Sequence, residues 1–127
     1  MQLTEDVRKL ILDFQQAEIT EYQIYNKLAD KIKSAENAAI LRRIAQDELR
    51  HYREWKQHSG EDVQPQWLKV WGYYFISRIF GYTFGVKLME RGEEKAQEHY
   101  AAIAKVIPDA ARIQQEEDGH EAQLISM

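Results

Sequence analysis

The residues with the most chemistry to offer form two copies of one pattern, Glu48-Leu49-Arg50-His51 and Glu117-Asp118-Gly119-His120. A glutamate and a histidine three positions apart point to the same side of a helix. Both pairs lie on apolar stripes of helical spacing. One stripe is Leu41, Ile44, Glu48, His51 and Trp55; the other is Ala110, Ile113, Glu117, His120 and Leu124. A carboxylate or an imidazole at a core position is costly to bury without a partner. These groups are also donors that divalent transition metals accept. Two such units on core stripes ask for a shared partner between them.

Helices must position these groups, and their boundaries can be read from the chain. A first helix is expected from about Leu3 to Lys33, with the stripe Val7, Ile11, Phe14, Glu18, Glu21, Tyr25, Leu28 and Ile32. Glu18 and Glu21 therefore sit on a core line between apolar neighbours. Ser34 is a candidate N-cap for a second helix from Ala35 to about His58. A link this short makes the two helices an antiparallel hairpin, with Glu18 and Glu48 at similar height. His58, at the end of its stripe, reads as a rim residue. The run Ser59 to Pro65 is a turn-forming loop.

The stretch Trp67 to Phe84 holds eight of the chain's 14 aromatic residues. Lys69, Arg78 and Lys87 interrupt it, and Gly72, Gly81 and Gly85 loosen it, so it makes a poor membrane span. It is expected to be a helical crossover that caps the bundle or packs against a second subunit. A third long helix should continue to about Val106, with Glu93 on its stripe between Met89 and Tyr100, and Glu90 beside it. Pro108 and Asp109 mark the start of a last helix that runs to about Ser126. The halves resemble copies of one hairpin. Glu18 precedes Tyr25 by seven residues and Glu93 precedes Tyr100 by seven, and each such helix is followed by one bearing Glu-x-x-His. Tyr25 and Tyr100 read first as core packing, with hydrogen bonding to a ligand carboxylate as the functional alternative.

Composition narrows the function classes. A chain of 127 residues fits one domain, and its 44% hydrophobic and 30% charged content describes an ordinary globular protein. The net charge of -4 and the lack of a basic cluster argue against nucleic acid as a partner. No cysteine is present, which excludes disulfides, thiolate metal sites and thiol nucleophiles and fits a reducing, cytoplasmic setting. The N-terminus reads as neither a signal nor a transit peptide.

The core-stripe set is thus Glu18, Glu21, Glu48, His51, Glu93, Glu117 and His120. Four buried carboxylates without cations would repel one another and take up protons. Two divalent ions would bring four positive charges against four negative ones. Carboxylates that bridge two metals, with one imidazole on each, suit iron or manganese better than a closed zinc site. Glu21 would add a fifth carboxylate, with Glu90 as its competitor for that role.

With these residues in place, the chain resembles the rubrerythrin branch of the ferritin-like superfamily over essentially its whole length. The stretches Gly92-Glu93-Glu94-Lys95-Ala96-Gln97-Glu98-His99-Tyr100 and Glu116-Glu117-Asp118-Gly119-His120-Glu121 are most similar to the ferritin-like domain that precedes a vacuolar-iron-transporter-type membrane domain. The resemblance implies an all-α, ferritin-like four-helix bundle with a long crossover between the second and third helices. It implies two iron ions, with manganese as the alternative, on Glu18, Glu48, His51, Glu93, Glu117 and His120. It also implies oxidation of ferrous iron with oxygen or hydrogen peroxide, in iron homeostasis and oxidative-stress defence. Glu18, Glu48, Glu93 and Glu117 are the carboxylates expected to serve that chemistry. Dimerisation, and a membrane transporter domain or partner beyond the C-terminus, are further implications. The chain departs from the family at Ala96, where rubrerythrins usually carry a second carboxylate, and in having no cysteine for a rubredoxin-like domain. Two other readings stand beside this one: a non-catalytic iron-binding domain that delivers iron to, or regulates, a transporter, and a metal-free helical adaptor.

Overall fold

The computed structural model of the chain describes residues 4–81, 85, 103 and 107–127, apart from the side chains of 125 and 126. These residues are all-helical, with no strand among them. Their four helices are α1 (Glu5–Lys31), α2 (Ala35–Ser59), α3 (Trp67–Phe80) and α4 (Asp109–Ser126). The expected helix that carries Glu90, Glu93 and Tyr100 lies outside the described residues.

Local chemistry explains most of the helix ends. The Thr4 hydroxyl accepts from the Val7 amide at 3.2 Å, so α1 begins at a cap two residues later than the stripe alone suggests. Ser34 caps α2 as expected, its Oγ accepting from the Asn37 amide at 3.2 Å. The second helix ends at Gly60, whose φ of 72° places it in the left-handed region that suits glycine. Gly60 N–H donates to the Lys56 carbonyl at 2.8 Å and so occupies a carbonyl of the last turn.

Helices α1 and α2 form the most extensive packing pair, α3 packs on α1, and α4 on α2. Cross-helix partners show that the hairpin is antiparallel: Asp30 pairs with Arg42, Glu18 with His51, and Phe14 stacks on Trp55 at 5.6 Å. As the number on α1 falls, the number on α2 rises. The loop that follows is fixed by buried polar groups the apolar pattern does not reveal. Gln15, fully buried on α1, accepts from Ser59 Oγ at 2.6 Å and donates to the Glu61 carbonyl at 2.7 Å. Thr20 Oγ1 accepts from the Gln66 amide at 3.0 Å and sets the start of α3.

Two apolar clusters fill the bundle. One holds Ile24, Leu28, Leu41, Ile44, Val70 and Leu124; the other holds Ile11, Phe14, Trp55, Ile107, Ala110 and Ile113. Helices α1, α2 and α4 each pass from one cluster to the other, and at the crossing each carries its glutamate or Glu-x-x-His. The polar residues therefore form a layer between two apolar clusters.

The aromatic stretch is helical over Trp67–Phe80, and only part of it joins the core. Val70 and Ser77 turn inward, while Leu68, Trp71, Phe75, Ile79 and Phe80 stay exposed. Gly85 approaches Ser77 so closely that a Cβ there would lie 1.8 Å from Ser77 Oγ. Among the described residues, no helix is long and apolar enough to cross a membrane.

Trp55 is fully buried and Leu68 is 92% exposed, so they test where stability resides. Trp55→Ala should cost about 3–5 kcal/mol. Leu68→Ala should stay within about 0.5 kcal/mol of the parent. Chemical denaturation of the metal-free protein measures both, and equal costs would contradict this account of the core.

Candidate metal centre

All the stripe positions named above for α2 and α4 are buried, and so are Ile11, Phe14, Glu18, Tyr25 and Leu28 of α1. At the crossing between the two apolar clusters, Glu18, Glu48, His51 and Glu117 converge. One ligand atom of each lies within 4.8 Å of the others, a spacing that could hold a metal ion. His51 Nδ1 is 3.0 Å from Glu117 Oε1, 3.3 Å from Glu18 Oε2 and 3.8 Å from Glu48 Oε1. His120 stands beside it, with ring centroids 6.1 Å apart and Nδ1 3.0 Å from Glu48 Oε1. That last contact is close but not aligned as a hydrogen bond. His120 Nδ1 is buried with no hydrogen-bond partner among the described residues, and Glu48 is hydrogen-bonded to other carboxyl groups, those of Glu18, Glu21 and Glu117. A cation among these atoms would supply what they lack. The donor set, carboxylate oxygens and inward imidazole nitrogens, fits a divalent transition metal.

Of the other expected ligands, Glu21 lies one turn beyond Glu18, half-buried, and its charge acts on Glu48. Its carboxyl also hydrogen-bonds that of Glu48, so it adjoins the cluster. Glu93 and Glu90 lie outside the described residues. Tyr25 belongs to the apolar cluster around Ile24 and Leu28, as packing predicts. His58 is remote from the centre, with Nε2 3.6 Å from Asp109.

Sequence reasoning missed a second tier of the site. Each histidine turns its outer nitrogen to a carboxylate on the opposite helix. His51 Nε2 on α2 meets Glu116 Oε2 of α4 at 2.5 Å, and His120 Nε2 on α4 meets Asp47 Oδ2 of α2 at 2.8 Å. The exchange is reciprocal. Arg50 Nη2 reaches both outer carboxylates, at 2.6 Å to Glu116 and 3.3 Å to Asp47. Arg112 adds a contact to Glu116 at 3.1 Å. An outer carboxylate fixes the orientation of the ring and leaves Nδ1 turned toward the centre. The signal was present in the chain: an acidic residue immediately precedes each Glu-x-x-His, Asp47 before Glu48 and Glu116 before Glu117.

Burial and charge set the protonation of the metal-free cluster. Burial, then the charge of Glu117, pushes the Glu18 carboxyl up to about 8. The same two causes, with Glu18 and Glu21, push Glu48 well above the carboxylate range. For His51 burial works downward, but hydrogen bonds to Glu117 and Glu18 and their charges outweigh it and raise the imidazole to about 11. Burial would raise Glu117, yet the His51 hydrogen bond and nearby charges hold it low. At neutral pH the metal-free centre thus pairs a protonated His51 with an ionised Glu117, while Glu18 and Glu48 keep their protons. Metal binding must expel the protons of Glu18, Glu48 and His51.

Comparison with protein-family models, curated proteins and solved structures finds no match to the chain.

Two predictions come from this geometry. In the folded state Glu18 and His51 both hold protons more tightly than when unfolded, which favours folding at low pH. The metal-free protein should lose stability as pH rises from about 4.5 to 8 through Glu18, and from about 6.5 to 11 through His51. Metal affinity should run the other way and rise with pH. Melting curves across pH, with and without metal, check both signs. Second, Asp47→Asn and Glu116→Gln should each weaken metal binding by about 10–100-fold while leaving helix content intact. Competitive metal titration with circular dichroism measures both.

Proposed function

We propose that this chain is a dinuclear metal–carboxylate protein of the rubrerythrin-like kind, which oxidises ferrous iron with oxygen or peroxide. The observation that carries this reading is the convergence of Glu18, Glu48, His51 and Glu117 in one buried layer, with His120 3.0 Å from Glu48. Three helices supply those groups, and Glu93 is the carboxylate assigned to a fourth. One glutamate from each of two helices and Glu-x-x-His from each of two others is the ligand pattern of di-iron and di-manganese bundles.

In this reading Glu18, Glu48, Glu93, Glu117, His51 and His120 would hold two metal ions. Bound as iron, the pair would supply the redox chemistry, one electron from each ferrous ion to oxygen or peroxide. The protein's own groups do the rest. Asp47 and Glu116 orient the imidazoles through their outer nitrogens. The two apolar clusters exclude bulk water on either side of the layer, which strengthens every charge interaction within it. Glu18 and Glu48 give up protons as metal binds, and on their release can take up protons again. Glu21, at the edge of the layer, is placed to serve as an additional or exchanging carboxylate.

The experiment is oxygen uptake on addition of ferrous iron to the metal-free protein. Rapid, stoichiometric uptake is expected, with uptake at the background rate in Glu48→Ala and Glu117→Ala. Tight iron binding with background oxygen and peroxide consumption would replace the catalytic reading with iron delivery.

A further inference from the structure

A second feature stands apart from the metal layer. Helix α3 packs on α1 through Val70, Tyr73 and Tyr74, and its opposite face has no cover among the described residues. At about 100° per residue, Leu68, Phe75 and Ile79 fall within about 40° of one another on that face. They are 92%, 58% and 73% exposed, with Trp71 and Trp67 to one side at 45% and 44%. Arg78 and Lys69 lie about 80–100° to either side of the stripe and flank it with positive charge. No acidic residue occurs between Asp62 and Glu90, in a chain whose net charge is -4.

The adjoining end of α1 extends the same charge. Lys27 Nζ sits 4.5 Å over the Trp71 ring. A cavity of about 330 Å³ opens where α1 and α3 meet, lined by Lys31, Lys33, Arg78, Ser34, Ser77 and Leu28. Ser77 is 5% exposed, and its buried Oγ has no hydrogen-bond partner among the described residues. The cavity wall is largely apolar, with Leu28 and Ile32 in it, and the three cations at its border suit an anionic group attached to an apolar body. An apolar, tryptophan-bearing helix face flanked by basic side chains suits the boundary between lipid headgroups and acyl chains.

We propose that α3 and the basic end of α1 form a docking surface for an anionic lipid membrane. The helix lies in the plane of the interface. Leu68, Trp71, Phe75 and Ile79 enter the apolar boundary, and Lys69 and Arg78 reach to headgroup phosphates. The cavity mouth bounded by Lys31, Lys33 and Arg78 receives one anionic headgroup. Charge decides against a second copy of the chain on this face. A two-fold contact through α3 would bring the basic flanks of the two copies, Lys69 and Arg78, together with no acid on the helix to offset them. Anionic headgroups offset them directly.

The test is co-sedimentation of the full chain with phosphatidylcholine vesicles, with and without phosphatidylglycerol. Binding is expected only with phosphatidylglycerol, with weakening at high salt and a blue shift of tryptophan emission as Trp67 and Trp71 leave water. Lys31→Ala combined with Arg78→Ala should reduce vesicle affinity about tenfold or more. Phe75→Ser should also weaken binding and reduce the blue shift. All these side chains are exposed, so helix content should not change. Absence of binding to phosphatidylglycerol vesicles, equal binding to phosphatidylcholine alone, or unchanged binding by the variants would overturn the proposal. So would a stable dimer in sedimentation velocity that Leu68→Ser or Phe75→Ser dissociates, since the face would then belong to a second copy.

Discussion

The burial of like charges in one layer is the constraint on which the bundle depends. Glu18, Glu48 and Glu117 are within a few ångströms of one another and at most 9% exposed. The effective penalty for burying an ion in a protein is several kcal/mol, against at most about 1 kcal/mol from an exposed ion pair such as Arg8 with Glu61. No surface pair offsets such a layer. The stability that holds it in place comes from the two apolar clusters on either side, anchored by residues such as Trp55 and Ile11. Protons occupy the layer when metal does not, which is why Glu18 and Glu48 are pushed up while His51 keeps its charge.

This arrangement explains why helices carry the site. A residue on a packed helix is fixed by the core above and below it, so its carboxylate cannot retreat to water. Each of α1, α2 and α4 places its polar residues between two apolar anchors: Phe14 and Tyr25 around Glu18, Ile44 and Trp55 around Glu48 and His51, Ile113 and Leu124 around Glu117 and His120. The outer carboxylates Asp47 and Glu116, both reached by Arg50, then lock the imidazoles from the far side. His51 is held from both ring nitrogens and His120 from its outer one.

Much of this was legible in the chain because helical periodicity is a direct readout of burial. The stripes through Glu18, Glu48, His51, Glu117 and His120 were visible as apolar steps of three and four, and Ser34 announced the turn. What escaped was polar and non-periodic. Gln15 looks like a surface residue by type, yet it is buried because Ser59 and Glu61 satisfy its amide. Thr4 displaced the expected start of α1 through a cap. Asp47 and Glu116 escaped because their partners lie on another helix, and no single-helix pattern reports a cross-helix hydrogen bond. Glu21 shares the stripe of Glu18 and, as that stripe suggests, its carboxyl reaches Glu48. The aromatic content of α3 suggested a cap on the bundle or a face for a second subunit; part of the helix joins the core and the rest faces outward.

The central claim is that the buried layer exists to hold two metal ions. Its most direct test is the metal content of the purified protein after anaerobic incubation with ferrous iron and removal of unbound metal, measured by element-resolved mass spectrometry. Two iron ions per chain, absent when Glu48 is replaced by alanine, is the result this account predicts. Metal-free protein after the same treatment, with Glu18 and Glu48 still protonated at neutral pH, would contradict it and leave the layer as a purely structural network.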